Sequence, residues 1–569
     1  MTQPQVGDAS EARAATPLDA FCERWVDQLV ELYPELRIDL ARAGDLAAYA
    51  DYSPAGIAAE RELVARALRE LAEVPVQDAV DRVTELELRR DLELKLALID
   101  AGMPYRDVNN IATPAHGIRA IFDLMPQERA DDFAVIAERM RRVPEAVSGY
   151  LETLREGVRR GHVAAKRQVR ELADQTAAYA KLNGPFGELA AAGASVAPDL
   201  ADELAAAARD AAEAYGRLSL TLQREIEPAA SESDAFGREL YALNSKMFVG
   251  AEIDLDETYE WGIAELQRMI AEQREIADSF EPGIAIADLA ERLDNDPKYR
   301  IESAEKLREW MQVRADQAVA DLAGSHFEIS DQMRAIRCMI APTNEGGIYY
   351  TGPSEDFSRP GQMWWSVPEG VTSFATWREL TTVYHEGVPG HHLQIATATA
   401  QKGSLNTWRR MNWCSGHGEG WALYAERLMD ELGYLDDPAY RFGMLDAQRM
   451  RAARVVLDIG VHLGKEVPVE FASADERGRV WDYDFALAFM TENMMADPGS
   501  IRFEVNRYFG WAGQAPSYKV GQRIWEQLRE AAAQRAGANF SLRDWHTRAL
   551  KLGTVSLDTL REVLAAESN

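Results

Sequence analysis

Tyr384-His385-Glu386-Gly387-Val388-Pro389-Gly390-His391-His392-Leu393-Gln394 is the stretch from which the rest of the chain is read. It holds three of the nine histidines, and five of the nine fall at His385, His391, His392, His417 and His462. One helix and a connection later comes His417-Gly418-Glu419-Gly420-Trp421-Ala422-Leu423-Tyr424-Ala425-Glu426. Two imidazoles and a carboxylate can hold hydrolytic zinc and leave one position for water. A Glu beside the first His can then reach that water as a general base.

The spacing departs from His-Glu-x-x-His. Position i+4 from His385 is Pro389, which has no ligand atom. On an ideal helix His391 stands about 240° round from His385, and His392 about 10 Å further along the axis. A regular helix brings neither to a shared ion. Pro389 removes a backbone donor and Gly390 admits unusual dihedrals, so a two-residue bulge between Glu386 and Gly390 is expected. On spacing alone, a metal centre and a chance cluster of core or surface histidines stand as alternatives.

Before this stretch, residues 337–370 carry "RCMIAP", "GGIYYTGPSED" and "QMWWSVPEG", aromatic and β-branched runs between turn residues. They predict a small antiparallel sheet or hairpin set. Elsewhere apolar residues recur at three and four, as in Phe21, Trp25, Leu29 and Leu32. Helices are predicted at about 58–72, 77–101, 126–157, 160–182, 197–227, 232–247, 256–280, 302–323 and 328–336. After the sheet they resume at about 374–386, 391–401, 416–432, 438–465, 469–475, 480–492, 498–507, 516–536 and 541–551. The alanine-rich run 187–215 predicts a close helix pair turning near Gly193–Pro198. The expected organisation is a flexible tail at 1–16, a helical lobe at 17–250 and a second at 251–569, or one continuous fold.

Composition narrows the function. The net charge is -31, from 62 basic and 93 acidic residues, and such a surface repels phosphate backbones and anionic lipid heads. The basic run Arg159, Arg160, Lys166, Arg167 and Arg170 reads as a solvated helix face. Cys22, Cys338 and Cys414 form no CxxC pair. Met1–Asp8 lacks a basic region followed by an apolar stretch, and no run approaches 18 apolar residues. These features predict a soluble cytoplasmic protein with no nucleic-acid or membrane partner.

His-Glu-x-x-Pro-Gly-His-His-Leu-Gln, then Glu-Gly-Trp-Ala-Leu-Tyr, then Ala-Gly-Gln-Ala-x-Ser-Tyr-Lys-x-Gly together resemble the bacterial family called domain of unknown function 885. That family resembles the helical gluzincin peptidases of the angiotensin-converting-enzyme and thermostable carboxypeptidase groups. Their pattern is His-Glu-x-Gly-His-x-Gln, and here two residues are inserted before Gly390-His391. The resemblance implies a mainly α, two-lobed fold around a deep cleft, with the small sheet beside the zinc helix. It implies one zinc per chain on His385, His391 and Glu419, with Glu386 as general base. Glu426, two turns beyond Glu419 on the same face, is the alternative third ligand or an orienter of a ligand imidazole. His392 and His417 either line the site or make structural hydrogen bonds.

Tyr518 matches the tyrosine that donates to the oxyanion in the gluzincins; otherwise it packs beneath a helix capped by Ser517. His462 is a second candidate for the intermediate, with Asp458 at i-4 fixing its tautomer and Arg451 on the same helix turned toward the site. Arg502 and Arg507 are candidates for a substrate carboxylate, and Gln514 for substrate binding. Tyr350 or Trp365 would line the cleft, next to an edge strand on which a peptide can pair. The expected function is a zinc peptidase acting on short peptides, with carboxypeptidase or dipeptidase activity by analogy. The alternatives are a metal- or peptide-binding protein without catalysis, and a hydrolase of other amides or esters. Mixed His/Glu ligation also suits manganese or cobalt.

Overall fold

The computed structural model describes residues 13–341 and 347–566. The protein is mainly helical, with small sheets. Residues 1–12 of the expected tail lie outside the described residues. Residues 13–16 are not a frayed end: Arg13 is paired with Asp19 and Asp78, each at 2.6 Å, and with Asp81. Thr16 then caps the helix Pro17–Leu32, accepting from Asp19 N–H.

Three large apolar clusters organise the described residues, beside a small one of Ile57, Ile99 and Tyr105. One joins Leu18–Leu92 with Trp408. One lies within 108–226, where Ala130–Arg160 packs against Ala201–Thr221. The alanine-rich pair is Pro185–Val196 and Ala201–Thr221, with its turn at 197–200, slightly later than expected, because Gly193 stays helical against Phe133 and Leu204. The largest cluster runs from Tyr241 to Leu564 with Val83, and carries the histidine helices.

Five strands occur among the described residues: β1 (Arg300–Glu302), β2 (Ile336–Ile340), β3 (Ile348–Thr351), β4 (Gly361–Trp365) and β5 (Ser373–Ala375). β1 pairs antiparallel with β5. The other three form a sheet in the order β2-β4-β3. This sheet is mixed rather than antiparallel, because β2 and β4 run parallel while β3 and β4 form the antiparallel pair. β3 is thereby left at the edge. Two predicted helices are absent. The segment at 328–336 is one turn, Asp331–Met333, running into β2, and 469–475 holds turns only. Both are short runs broken by polar residues, with too few turns to recover the cost of nucleation.

Candidate metal centre and cleft

The helix Thr376–Glu386 buries Trp377, Leu380, Val383 and Tyr384, and ends at His385-Glu386. The chain then stops being helical, so the expected bulge is a complete break. Gly387 N–H closes on Val383 O at 2.9 Å, and the Val388-Pro389 peptide is cis. A new helix begins at His391 and runs to Ala400. Gly390 makes the break possible: a Cβ there would stand 1.9 Å from the His385 carbonyl oxygen. The Trp421 indole donates to Pro389 O at 2.8 Å and ties the break to the Ser415–Glu431 helix.

That helix supplies Glu419. It crosses Ser517–Ala536 where Gly420 meets Gly521, so closely that a Cβ on Gly420 would lie 2.4 Å from the Gly521 carbonyl carbon. The crossing brings Tyr518 to the wall beside Glu419. The cap expected of Ser517 is not formed; its hydroxyl donates to Gln514 O at 2.6 Å.

His385, His391 and Glu419 converge, with one ligand atom from each lying within 4.8 Å of the others. The Nε2 atoms of His385 and His391 each stand 3.4 Å from Glu419 Oε2. A tetrahedral ion with bonds of about 2.0–2.1 Å places its ligands roughly 3.4 Å apart, so these donors have the span of one zinc shell. Glu426 is not part of it. Its Oε1 accepts from His385 Nδ1 at 2.7 Å, and its Oε2 accepts from Thr381 at 2.9 Å and Gln448 at 3.4 Å. That contact leaves Nε2 as the His385 atom facing Glu419, the arrangement by which a carboxylate orients a ligand imidazole.

The electrostatics follow. Burial pulls the His385 imidazole down, but Glu419 and Glu426 outweigh it and hold it at about 9. A cation at Nε2 would replace that proton. Burial raises Glu419, yet the two imidazoles bring it well below the carboxylate range. Glu386 is raised by burial, which His391 and His385 oppose only in part. It is the carboxylate of the group suited to accept and return a proton. If Glu426 orients His385, Glu426→Gln weakens zinc binding about 10–100-fold in a competition titration against a chelating dye. Unchanged affinity would refute that role.

A cleft of about 530 Å³ opens over these residues, lined also by Tyr349, Tyr350, Ile395, Trp413, Met450, Arg451, Arg454, Met494 and Tyr518. Its size is that of a small-ligand site. Tyr350 is there as expected, and its hydroxyl donates to His392 Nδ1 at 2.8 Å. His392 donates from Nε2 to Met333 O at 2.8 Å, which fixes that tautomer. Burial holds the ring neutral, down at about 4. His392 thus positions Tyr350 from behind. Tyr518 is raised by burial and remains a neutral phenol able to donate. Trp413 and Arg454 were not singled out in the sequence. Trp413 tilts over His391 at 5.9 Å between ring centroids, and its place shortly before Glu419 in the helix lead-in was the available signal.

Several expected residues stand elsewhere. His462 is fully buried away from the cleft, its Nε2 donating to Tyr508 O at 2.9 Å and its ring stacked on Tyr241. Asp458 does not bond it; it accepts from Tyr241 at 2.6 Å and Gly513 N–H at 2.9 Å. His417 is structural, with Nδ1 accepting from Val555 N–H at 2.9 Å. Trp365 turns inward and donates to Glu379 at 2.8 Å. Arg502 is exposed. Arg507 is buried behind Tyr518, paired with Glu504 at 3.1 Å and donating to Gln514 at 2.5 Å. Gln514 therefore braces Arg507 and does not face the cleft. For Asp458 and His462 the cause is rotation: a spacing of four gives a shared helix face but not the direction in which that face points.

Residues 34–564 match the family described as bacterial protein of unknown function (DUF885). The chain belongs to that family. No curated protein matches this DUF885 chain. Among solved structures, a candidate lipoprotein from Colwellia psychrerythraea is similar at TM-score 0.83 and 20% identity, covering 97% of this chain and 98% of that one. A candidate lipoprotein of unknown function from Shewanella oneidensis is similar at TM-score 0.73 and 15% identity, covering 97% and 100%. At these identities the likeness shows the fold. No helix of the described residues in this DUF885 protein is long and apolar enough to cross a membrane.

Buried His462 also predicts an acid response. Burial lowers it to about 4, against about 6.5 when unfolded. The unfolded chain therefore binds the proton first, and stability present above pH 6.5 is lost as pH falls towards 4. The loss reaches about 3 kcal/mol at pH 4. Asp458, raised by burial to about 7, acts in the opposite sense, so the difference between proteins is the readout. Denaturant unfolding between pH 7 and 4 should show a shallower fall for His462→Gln than for wild type. Parallel curves would contradict it.

Proposed function

We propose that this DUF885 protein is a zinc-dependent hydrolase of amide bonds in short peptides, with a gluzincin-like arrangement of helices around its cleft. The observation that carries this reading is the pair of 3.4 Å separations from Glu419 Oε2 to the Nε2 atoms of His385 and His391. Zinc in that donor set, when bound, supplies Lewis acidity and acidifies a water in its open position. Glu386, buried at the cleft floor, takes the proton of the attacking water and delivers it to the leaving nitrogen. The Tyr518 phenol donates to the oxygen that becomes anionic. Tyr350, held by His392, faces the same cleft from the edge strand β3 and positions substrate. The small cleft favours short chains over folded proteins.

The test is hydrolysis of a mixed short-peptide library by zinc-loaded protein. Cleavage that stops with chelator and returns with zinc supports the reading. Stoichiometric zinc with no cleavage of any peptide moves the assignment to another amide, an ester or a binding role. Cytoplasmic residence is tested by fractionation: recovery with soluble cytoplasmic markers supports it, and recovery with membranes overturns it.

A further inference from the structure

Three arginines face the cleft, and they differ in what balances them. Arg378 is paired with Asp294 at 3.0 Å and Asp446 at 3.5 Å. Arg454 donates to the Tyr508 hydroxyl at 2.6 Å and to Glu504 at 2.9 Å. Arg451 makes no ion pair among the described residues. Its Nη1 donates to Ala447 O, one turn back on its own helix, at 3.1 Å. Its Nε is buried with no partner. Glu386 and Glu426 are within electrostatic reach but do not bond it.

Arg451 is part of a positive wall around Tyr518. The Arg451 and Arg454 guanidinium carbons lie 5.8 and 5.3 Å from that ring's centroid, and Arg507 lies against its phenol. Arg454 and Arg507 share one carboxylate, Glu504, and no carboxylate among the described residues forms an ion pair with Arg451. A partly desolvated guanidinium with free donors is costly unless an anion completes it. Its planar fork suits a carboxylate. In a chain of net charge -31, a guanidinium with unsatisfied donors and no direct ion pair beside the proposed oxyanion donor marks where an anionic group is received.

We propose that Arg451 receives a carboxylate of the substrate, so that the preferred peptides carry one close to the bond cleaved. This rests on the peptidase reading. The carboxylate comes either from a free C-terminus or from an acidic side chain. The role expected of Arg502 and Arg507 thus passes to a residue on the helix Pro438–His462.

The test compares three short peptides of one neutral core: free acid, C-terminal amide, and amide with an adjacent Glu. Wild type should prefer a carboxylate-bearing peptide over the neutral amide by about 10–100-fold in kcat/KM, the range of a charge-assisted hydrogen bond. Preference for the first identifies a terminal carboxylate, and preference for the third a side chain. In Arg451→Gln the ratio should fall to about one, with partial recovery in Arg451→Lys. A structural role would lower all three rates and leave the ratio. Binding of the same peptides to zinc-loaded Glu386→Gln, with and without Arg451→Gln, is measured by calorimetry and needs no turnover. If nothing is hydrolysed, the peptidase reading fails, and carboxylate-dependent binding lost with Arg451 still upholds this assignment. Equal binding of acid and amide, or a preference that survives Arg451→Gln, overturns it.

Discussion

Glu386→Gln should lower kcat by about 10²–10⁴-fold, the range supplied by a positioned general acid–base, while one zinc per chain stays bound. The amide keeps the volume of the carboxylate and cannot take a proton. Glu386 is buried at the end of its helix and lines the cleft beside the histidines. Its carboxylate makes no side-chain hydrogen bond among the described residues, so no structural partner is lost with the charge. The loss should therefore appear in kcat, with zinc content and unfolding midpoint close to wild type. Equal turnover by wild type and variant would remove Glu386 from the mechanism. Loss of zinc from the variant would instead make Glu386 a ligand and displace Glu419.

Gly390→Ala should abolish zinc binding and destabilise the fold by about 3 kcal/mol, the upper part of the range for forced overpacking. A methyl group 1.9 Å from the His385 carbonyl oxygen cannot be accommodated while His385 and His391 keep their places. Moving either helix end separates two nitrogens that must both stand about 2 Å from one ion. The obstacle is backbone rather than a flexible side chain, so local relaxation is limited. Gly161→Ala is the control. Gly161 closes a helix outside the cleft lining and nothing lies within 4 Å of its added methyl, so that variant keeps its zinc and shows only the strain of its positive φ. Full zinc occupancy in Gly390→Ala would contradict the account of how the inserted residues rebuild the motif.

Much of this was legible in the chain. Helix periodicity placed the two histidine helices within a residue or two, and the family resemblance, rather than spacing, singled out His385, His391 and Glu419, which the fold brings together. Sequence spacing showed that one regular helix could not join the histidines, but it described the remedy as a bulge. The actual break needs Gly390 against His385 O and Trp421 against Pro389 O, contacts that no local pattern encodes. Helix geometry alone did not separate Glu419 from Glu426, since residues seven apart share a face, and the preference for Glu419 came from the resemblance; position along the axis decides which meets Nε2 and which meets Nδ1. Arg502 and Arg507 show the same limit. One is exposed and the other buried, and neither faces the cleft. The parallel pairing of β2 with β4 was hidden because short strands carry propensity but not partner choice.

The most direct test of the central claim is elemental analysis of purified wild type and of Glu419→Gln after identical zinc loading and desalting. The account predicts about one zinc per chain in wild type and strongly reduced zinc in the variant, with both proteins folded by circular dichroism. Zinc absent from wild type after loading, or equal in the two proteins, would contradict a metal centre on His385, His391 and Glu419.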